Sequence, residues 1–272
     1  MRSAVFSFMV CCLLVFSACT SSHKAQKQSD PQARLELAKK YFEAKKYYRA
    51  LPLFDELMGY FRGRPEMEDI LYHLAWCHYH TDEFLVAAYH FKNYATTYPT
   101  EARAEECLFM HARCYYEIAP PMRLDQSYTY DCMNAIQIFA NNYPQSRFLA
   151  DANVMMDDLI ARLQDKAFFN AYLYYRMDKY KAAATAFENM LRDYPDAPQA
   201  EQCRFLILKS WYLYAANSVP SKQQERFQQV TRLYAAFRTR YPDSIYGTEA
   251  EQLYQNALQQ LNKLEKNEFV QN

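Results

Sequence analysis

Glycine is almost missing from this chain: Gly59, Gly63 and Gly247 are the only three in 272 residues. A loop that cradles phosphate needs several glycines close together, and a β-sandwich needs many tight turns, so neither fits. A charge excess of either sign is missing as well. The 31 basic and 31 acidic residues cancel, no basic block interrupts the chain, and nucleic-acid binding therefore has no electrostatic footprint. No apolar run reaches the ~20 residues that a membrane-crossing helix requires. Aromatic residues are plentiful instead, with 25 tyrosines and 18 phenylalanines among them. So many rings with so few glycines imply an all-α protein of helices packed on helices. Tyrosine suits faces that are partly wet, because a buried ring can keep its hydroxyl at the edge.

The first residues have a different logic. Arg2 precedes an apolar stretch from Ala4 to Phe16, broken only by Ser7, and the small pair Ser17-Ala18 leads to Cys19. That order is a secretory signal over residues 1–18. The segment Leu14-Val15-Phe16-Ser17-Ala18-Cys19 resembles a bacterial lipobox, with Phe16 standing where an aliphatic residue is usual. The resemblance implies cleavage between Ala18 and Cys19 and covalent lipid on Cys19, with residues 19–30 as a flexible tether. No acid follows Cys19 until Asp30. By likeness to sorted lipoproteins, this implies an outer-membrane anchor with the body facing the periplasm.

A repeat organises the rest. Tyr-Pro recurs at Tyr98-Pro99, Tyr143-Pro144, Tyr194-Pro195 and Tyr241-Pro242, at intervals of 45, 51 and 47 residues. Proline disfavours helix at the residue before it, so each pair marks a helix end. Stepping back from Pro99 gives Tyr94, Phe91, Ala87 and Ala75, and the same steps from Pro195 give Met190, Phe187, Ala183 and Ala171. This is the tetratricopeptide pattern, in which a small residue sits where two helices cross and an aromatic fills the second helix. The first unit carries Ala38, Tyr41, Ala50 and Phe54, with Pro65 arriving three residues late. A further copy of the repeat is visible in LYHLAWCHYH (71–80) against LFMHARCYYE (108–117), which keeps Ala75/Ala112 and Cys77/Cys114 in register. The expectation is a solenoid of five helix pairs over residues 31–265, a closing helix from about Tyr246 to Leu264, and a disordered tail over 266–272. Extra residues separate the helices of the third pair near Ala119–Leu124 and those of the fifth near Asn217–Ser221.

Signs of chemistry are sparse, and nothing in the spacing points to an enzyme. Once Cys11, Cys12 and Cys19 are set aside, Cys77, Cys107, Cys114, Cys132 and Cys203 remain, an odd number that cannot form a complete disulfide framework. Small buried apolar residues are the plainer reading. His73 and Cys77 share a helix face and could hold a metal, although Cys77 also reads as core, like its counterpart Cys114. No cofactor is expected apart from the lipid.

The first helices of the units offer more. Groove-facing positions taken from the repeat phase include Tyr72, Trp76 and Tyr79, then Phe109, Arg113 and Tyr116, then Phe168, Tyr172, Tyr175 and Arg176, and finally Trp211 and Tyr214. Such a surface suits an extended peptide, since rings supply large contact areas. The same rings could instead pack between helices.

The lipobox, the five pairs and the segment ENMLRDYPDAPQAEQCRFLILKSWYLYA together resemble the BamD family, tetratricopeptide lipoproteins of the bacterial β-barrel assembly machine. The resemblance implies binding to the POTRA domains of BamA, contact with other Bam components, and capture of unfolded outer-membrane β-barrel precursors. The early units, around Phe42, Tyr72, Trp76 and Tyr79, would receive the precursor's carboxy-terminal signal. Units four and five would dock BamA, with Arg176, Lys179 and Arg192 as exposed candidates. Another periplasmic tetratricopeptide lipoprotein, one that scaffolds envelope or peptidoglycan machinery, is the alternative.

Overall fold

The computed structural model describes residues 30–271, with side chains through residue 266. The signal, Cys19 and the tether up to Ser29 lie outside the described residues. Within them the chain forms eleven α-helices and no strand. These are α1 (Pro31–Glu43), α2 (Tyr47–Tyr60), α3 (Glu66–His80), α4 (Phe84–Thr97), α5 (Ala104–Ile118), α6 (Ser127–Asn142), α7 (Leu149–Arg176), α8 (Tyr180–Asp193), α9 (Ala200–Ala216), α10 (Pro220–Arg240) and α11 (Gly247–Gln271). Five helix pairs and a closing helix make this a tetratricopeptide-like array. α11 runs to Gln271, so the backbone of residues 266–271 is helical where a disordered tail was expected. That stretch contains neither glycine nor proline to stop the helix.

The chain divides into two compact units, and α7 contributes to both. One unit comprises the described residues through Pro120 together with Gln126–Met156; the other comprises Pro121–Asp125 and the chain from Asp157 onward. The helices end as the Tyr-Pro pairs require. α4, α6, α8 and α10 each stop at the residue before the tyrosine, whose N–H donates to the carbonyl four residues back. Pro65 behaves differently: α2 closes at Phe61 and Gly63 (φ +76°), and Pro65 becomes the residue that opens α3. At the start of α1, Asp30 caps the helix through its carboxylate, which accepts from Gln32 N at 3.0 Å.

The small residues sit at the crossings. Ala38, Ala75, Ala112, Ala171 and Ser210 on the first helices are fully buried, as are Ala50, Ala87, Cys132, Ala183 and Val230 on the second. Cys132 occupies a small-residue position, and its thiol donates to the carbonyl of Ala112 at 3.3 Å across the crossing. All five cysteines in the described residues are buried and outside any disulfide.

Three turns inside the pairs share one geometry. Lys45 (φ 56°), Asp82 (φ 61°) and Asp178 (φ 58°) are left-handed, each five residues before the small alanine of its second helix. The next residue's N–H then reaches back to the fading helix: Lys46 to Tyr41 O at 2.8 Å, Glu83 to His78 O at 3.0 Å, and Lys179 to Tyr174 O at 3.0 Å. This is the Schellman closure, usually made with glycine. A chain nearly without glycine makes it with lysine and aspartate.

Candidate functional site

In the unit nearer the N-terminus, Tyr72, Trp76 and Tyr79 lie along α3 at one-turn spacing, half-buried, and their rings touch in sequence. Trp76 is edge-on to Tyr72 (6.3 Å), Tyr79 (5.6 Å) and the buried Phe91 of α4 (5.3 Å), and it stacks on His80 at 5.5 Å. His80 lies parallel to Tyr47 at 4.2 Å, and Tyr47 and His73 both meet Phe42 edge-on. Phe42, Tyr47, His80, Trp76, Tyr79 and Tyr72 thus form one continuous aromatic string across α1, α2 and α3. The Nε1 of Trp76 is buried and meets no acceptor of hydrogen-bond geometry.

The end of the string at Tyr72 is polar. Its hydroxyl donates to Glu106 Oε2 at 2.8 Å, and the guanidinium of Arg103 lies 4.2 Å above its ring. Burial, reinforced by the Glu106 carboxylate, raises the hydroxyl's pKa and keeps it protonated. Arg103 also binds Asp69 at 2.8 Å, and Lys39 reaches the other oxygen of Asp69 at 2.6 Å. Burial alone would raise the Asp69 pKa, but hydrogen bonds from Lys39 and Arg103 outweigh it and hold the carboxyl below its usual range.

The next unit departs from expectation. Arg113 and Tyr116 remain partly accessible, with Arg113 paired to Glu117 at 2.6 Å and lying 5.4 Å from the Tyr116 ring. Phe109, however, is buried, so it is core rather than groove. It lies flat on Phe148 (centroids 4.8 Å apart, planes within 8°) and tilts against Phe139. The cause is a position not singled out in the sequence, the fourth residue after each Tyr-Pro proline. Phe148 stands there after Pro144, and Tyr246 stands there after Pro242, stacked on Phe205 at 4.6 Å. After Pro99 the same position is Arg103, so Tyr72 is covered by a guanidinium instead of a ring. The signal was in the sequence, but the cover belongs to the following repeat.

The other unit carries the remaining candidates. Phe168, Tyr172 and Tyr175 stack in succession, and Trp211 meets Tyr214 edge-on at 5.8 Å, with Arg226 lying 3.9 Å above the Tyr214 ring. Arg176, Lys179 and Arg192 are exposed. Lys179 lines an open recess of ≈ 680 Å³ with Tyr174, Tyr180 and Tyr214, and Arg192 is turned onto Asn189 and Asp193.

Cys77 is fully buried, and burial alone pushes its thiol up to about 12. The His73 ring lies on Phe54, with its Nδ1 at 2.7 Å from Asp69 O. Among the described residues no group of three or more His, Cys, Asp or Glu side chains is placed to hold a metal.

A family model described as YfiO, outer membrane lipoprotein, matches residues 27–224. No curated protein matches the sequence. Among solved structures, the chain is similar to the TPR2AB domain of yeast Sti1 in complex with pHSP90, at 12% identity and a TM-score of 0.40, covering 84% of this chain and 98% of that one. A TPR protein of Thermus thermophilus gives 15% identity and a TM-score of 0.33, covering 84% and 99%. The TPR domain of P58(IPK) gives 12% and 0.40, covering 91% and 68%. No described helix is long and apolar enough to cross a membrane.

Proposed function

Because the chain belongs to the YfiO family of outer membrane lipoproteins, we propose that it is a component of the β-barrel assembly machine, anchored through lipid on Cys19 with its helical body in the periplasm. Its work is binding and positioning. The early repeats receive an unfolded outer-membrane β-barrel precursor, and the later ones dock BamA-like POTRA domains through the surface bearing Arg176, Lys179 and Arg192.

The observation that supports this reading best is the aromatic string of Phe42, Tyr47, His80, Trp76, Tyr79 and Tyr72. His80 is exposed and the other five rings are half-buried, which leaves edges and faces for an extended segment to cover. Arg103 at the polar end supplies positive charge, though Asp69 already shares it.

The test is a titration of purified chain with a labelled peptide ending in an aromatic residue, and separately with isolated POTRA domains. Tyr79→Ala and Trp76→Ala should each weaken peptide binding by at least about tenfold, the loss expected for a central aromatic anchor, and leave POTRA affinity unchanged. Trp76 also packs on Phe91, so each variant's melting transition is recorded alongside. Intact peptide binding in both folded variants would exclude the string as the peptide site.

A further inference from the structure

The outer faces of the second helices carry an apolar stripe that the peptide and POTRA roles leave unused. The register two residues before the small residue of each second helix holds Tyr48, Leu85 and Tyr130 in the first three pairs, and these are 77%, 48% and 57% exposed. Val86 and Tyr89 widen the stripe on α4, and Tyr89 is 66% exposed. The same register holds Lys181 and Gln228 in the last two pairs, both exposed. The repeat therefore does not demand an apolar residue here. The stripe is confined to the N-terminal unit, and that is the unit joined to Cys19.

We infer that this stripe rests on the headgroup–acyl boundary of a lipid bilayer. The inference relies on Cys19 being the anchor, as proposed above. Ten residues separate Cys19 from Asp30, so however they are arranged the start of α1 lies within about 40 Å of the lipid attachment. Such confinement raises the effective concentration of membrane at this unit, and a weak face affinity is then enough to orient it. The chemistry fits the boundary. Tyrosine places its ring among acyl chains and its hydroxyl among headgroups, while Leu85 and Val86 supply aliphatic surface. Arg49, Asp82, Glu83, Lys92 and Asp131 flank the stripe with both signs, which limits contact to shallow depth and removes any need for anionic lipid.

The experiment uses the full lipidated chain in phosphatidylethanolamine–phosphatidylglycerol vesicles, with or without brominated acyl chains, which quench tryptophan on contact. Tyr89→Trp and Tyr48→Trp place reporters on the stripe, and Ile245→Trp, at a position 85% exposed in the other unit, is the control. Flotation first establishes that each chain is anchored. The expected result is a blue shift and bromine quenching for Tyr89→Trp and Tyr48→Trp and neither for Ile245→Trp. Adding Leu85→Glu to Tyr48→Trp should abolish its quenching with flotation unchanged. Failure to float would overturn the anchor reading and this inference with it. Flotation without quenching at the stripe, or equal quenching of all three reporters, would overturn the stripe contact alone. A blue shift that grows with protein density but resists bromine would assign the stripe to a second copy of the chain and overturn the membrane contact.

Discussion

His78 and His90 face each other across α3 and α4 with parallel rings, centroids 5.0 Å apart and planes within 3°. Both are buried, and Glu83 Oε2 lies 2.5 Å from Nδ1 of His78. His90 has no such partner: its Nδ1 is buried without an acceptor, His78 repels added charge, and only Asp55 of α2 favours it. Burial first, and His78 second, push the His90 pKa down to about 4.

Stability of the N-terminal unit should therefore fall in mild acid. The unfolded chain takes up a proton on His90 near 6.5, but the folded chain resists until about 4. The contribution is present above pH 6.5 and is lost as pH falls through that window. A shift of this size corresponds to on the order of 3 kcal/mol. His90→Gln removes the titration, so urea midpoints of the variant at pH 7.5 and pH 5 should lie closer together than those of the wild type. An equal drop in both would assign the acid sensitivity elsewhere.

Lys45→Gly should stabilise the fold, by about 0.5–1 kcal/mol. Lys45 holds a left-handed backbone (φ 56°) that costs an L-residue roughly 1–2 kcal/mol, and glycine adopts it freely at some cost in unfolded-state entropy. Thermal melting checks the sign. A lower Tm would mean that the lysine side chain, not the backbone, governs this turn.

Lys166 ties down the loop between α5 and α6. Its amine donates to Met122 O at 3.0 Å and to Leu124 O at 2.7 Å, while Arg123 sits 5.0 Å from the Phe169 ring. Lys166→Met should free this segment while changing global stability by no more than about 1–2 kcal/mol. Limited trypsin digestion reads it directly: cleavage after Arg123 should accelerate, and an unchanged rate would show that Arg123 and Phe169 suffice.

Ala171→Leu should destabilise by about 1–3 kcal/mol, since Ala171 is fully buried at a helix crossing and overpacking forces neighbours off their rotamers. The exposed change Lys181→Gln should stay within ~0.5 kcal/mol. Coincident denaturation midpoints would refute the packing role of the small residue.

The repeat phase was readable in the sequence because its determinants are local. Tyr-Pro ends a helix wherever it falls, and Ala75, Ala112 and Ala171 are small for a reason visible in each unit alone. The groove was less readable because its membership depends on the next repeat. Tyr72 and Phe109 occupy one register and look alike in sequence, yet Phe148 buries Phe109 while Arg103 leaves Tyr72 a polar rim. The left-handed turns were hidden for a different reason: lysine and aspartate stand where a glycine would have announced them.

The five buried thiols give the molecule an internal clock. Burial pushes Cys77 and Cys203 up to about 12 and raises Cys107 and Cys114 as well, so none of these four presents a thiolate while its helices stay closed. Each can be alkylated only during an excursion that lets solvent in. Cys77, Cys107, Cys114 and Cys132 belong to one unit and Cys203 to the other. The order in which an unmodified chain consumes a thiol reagent therefore records which half breathes first, without a single engineered label.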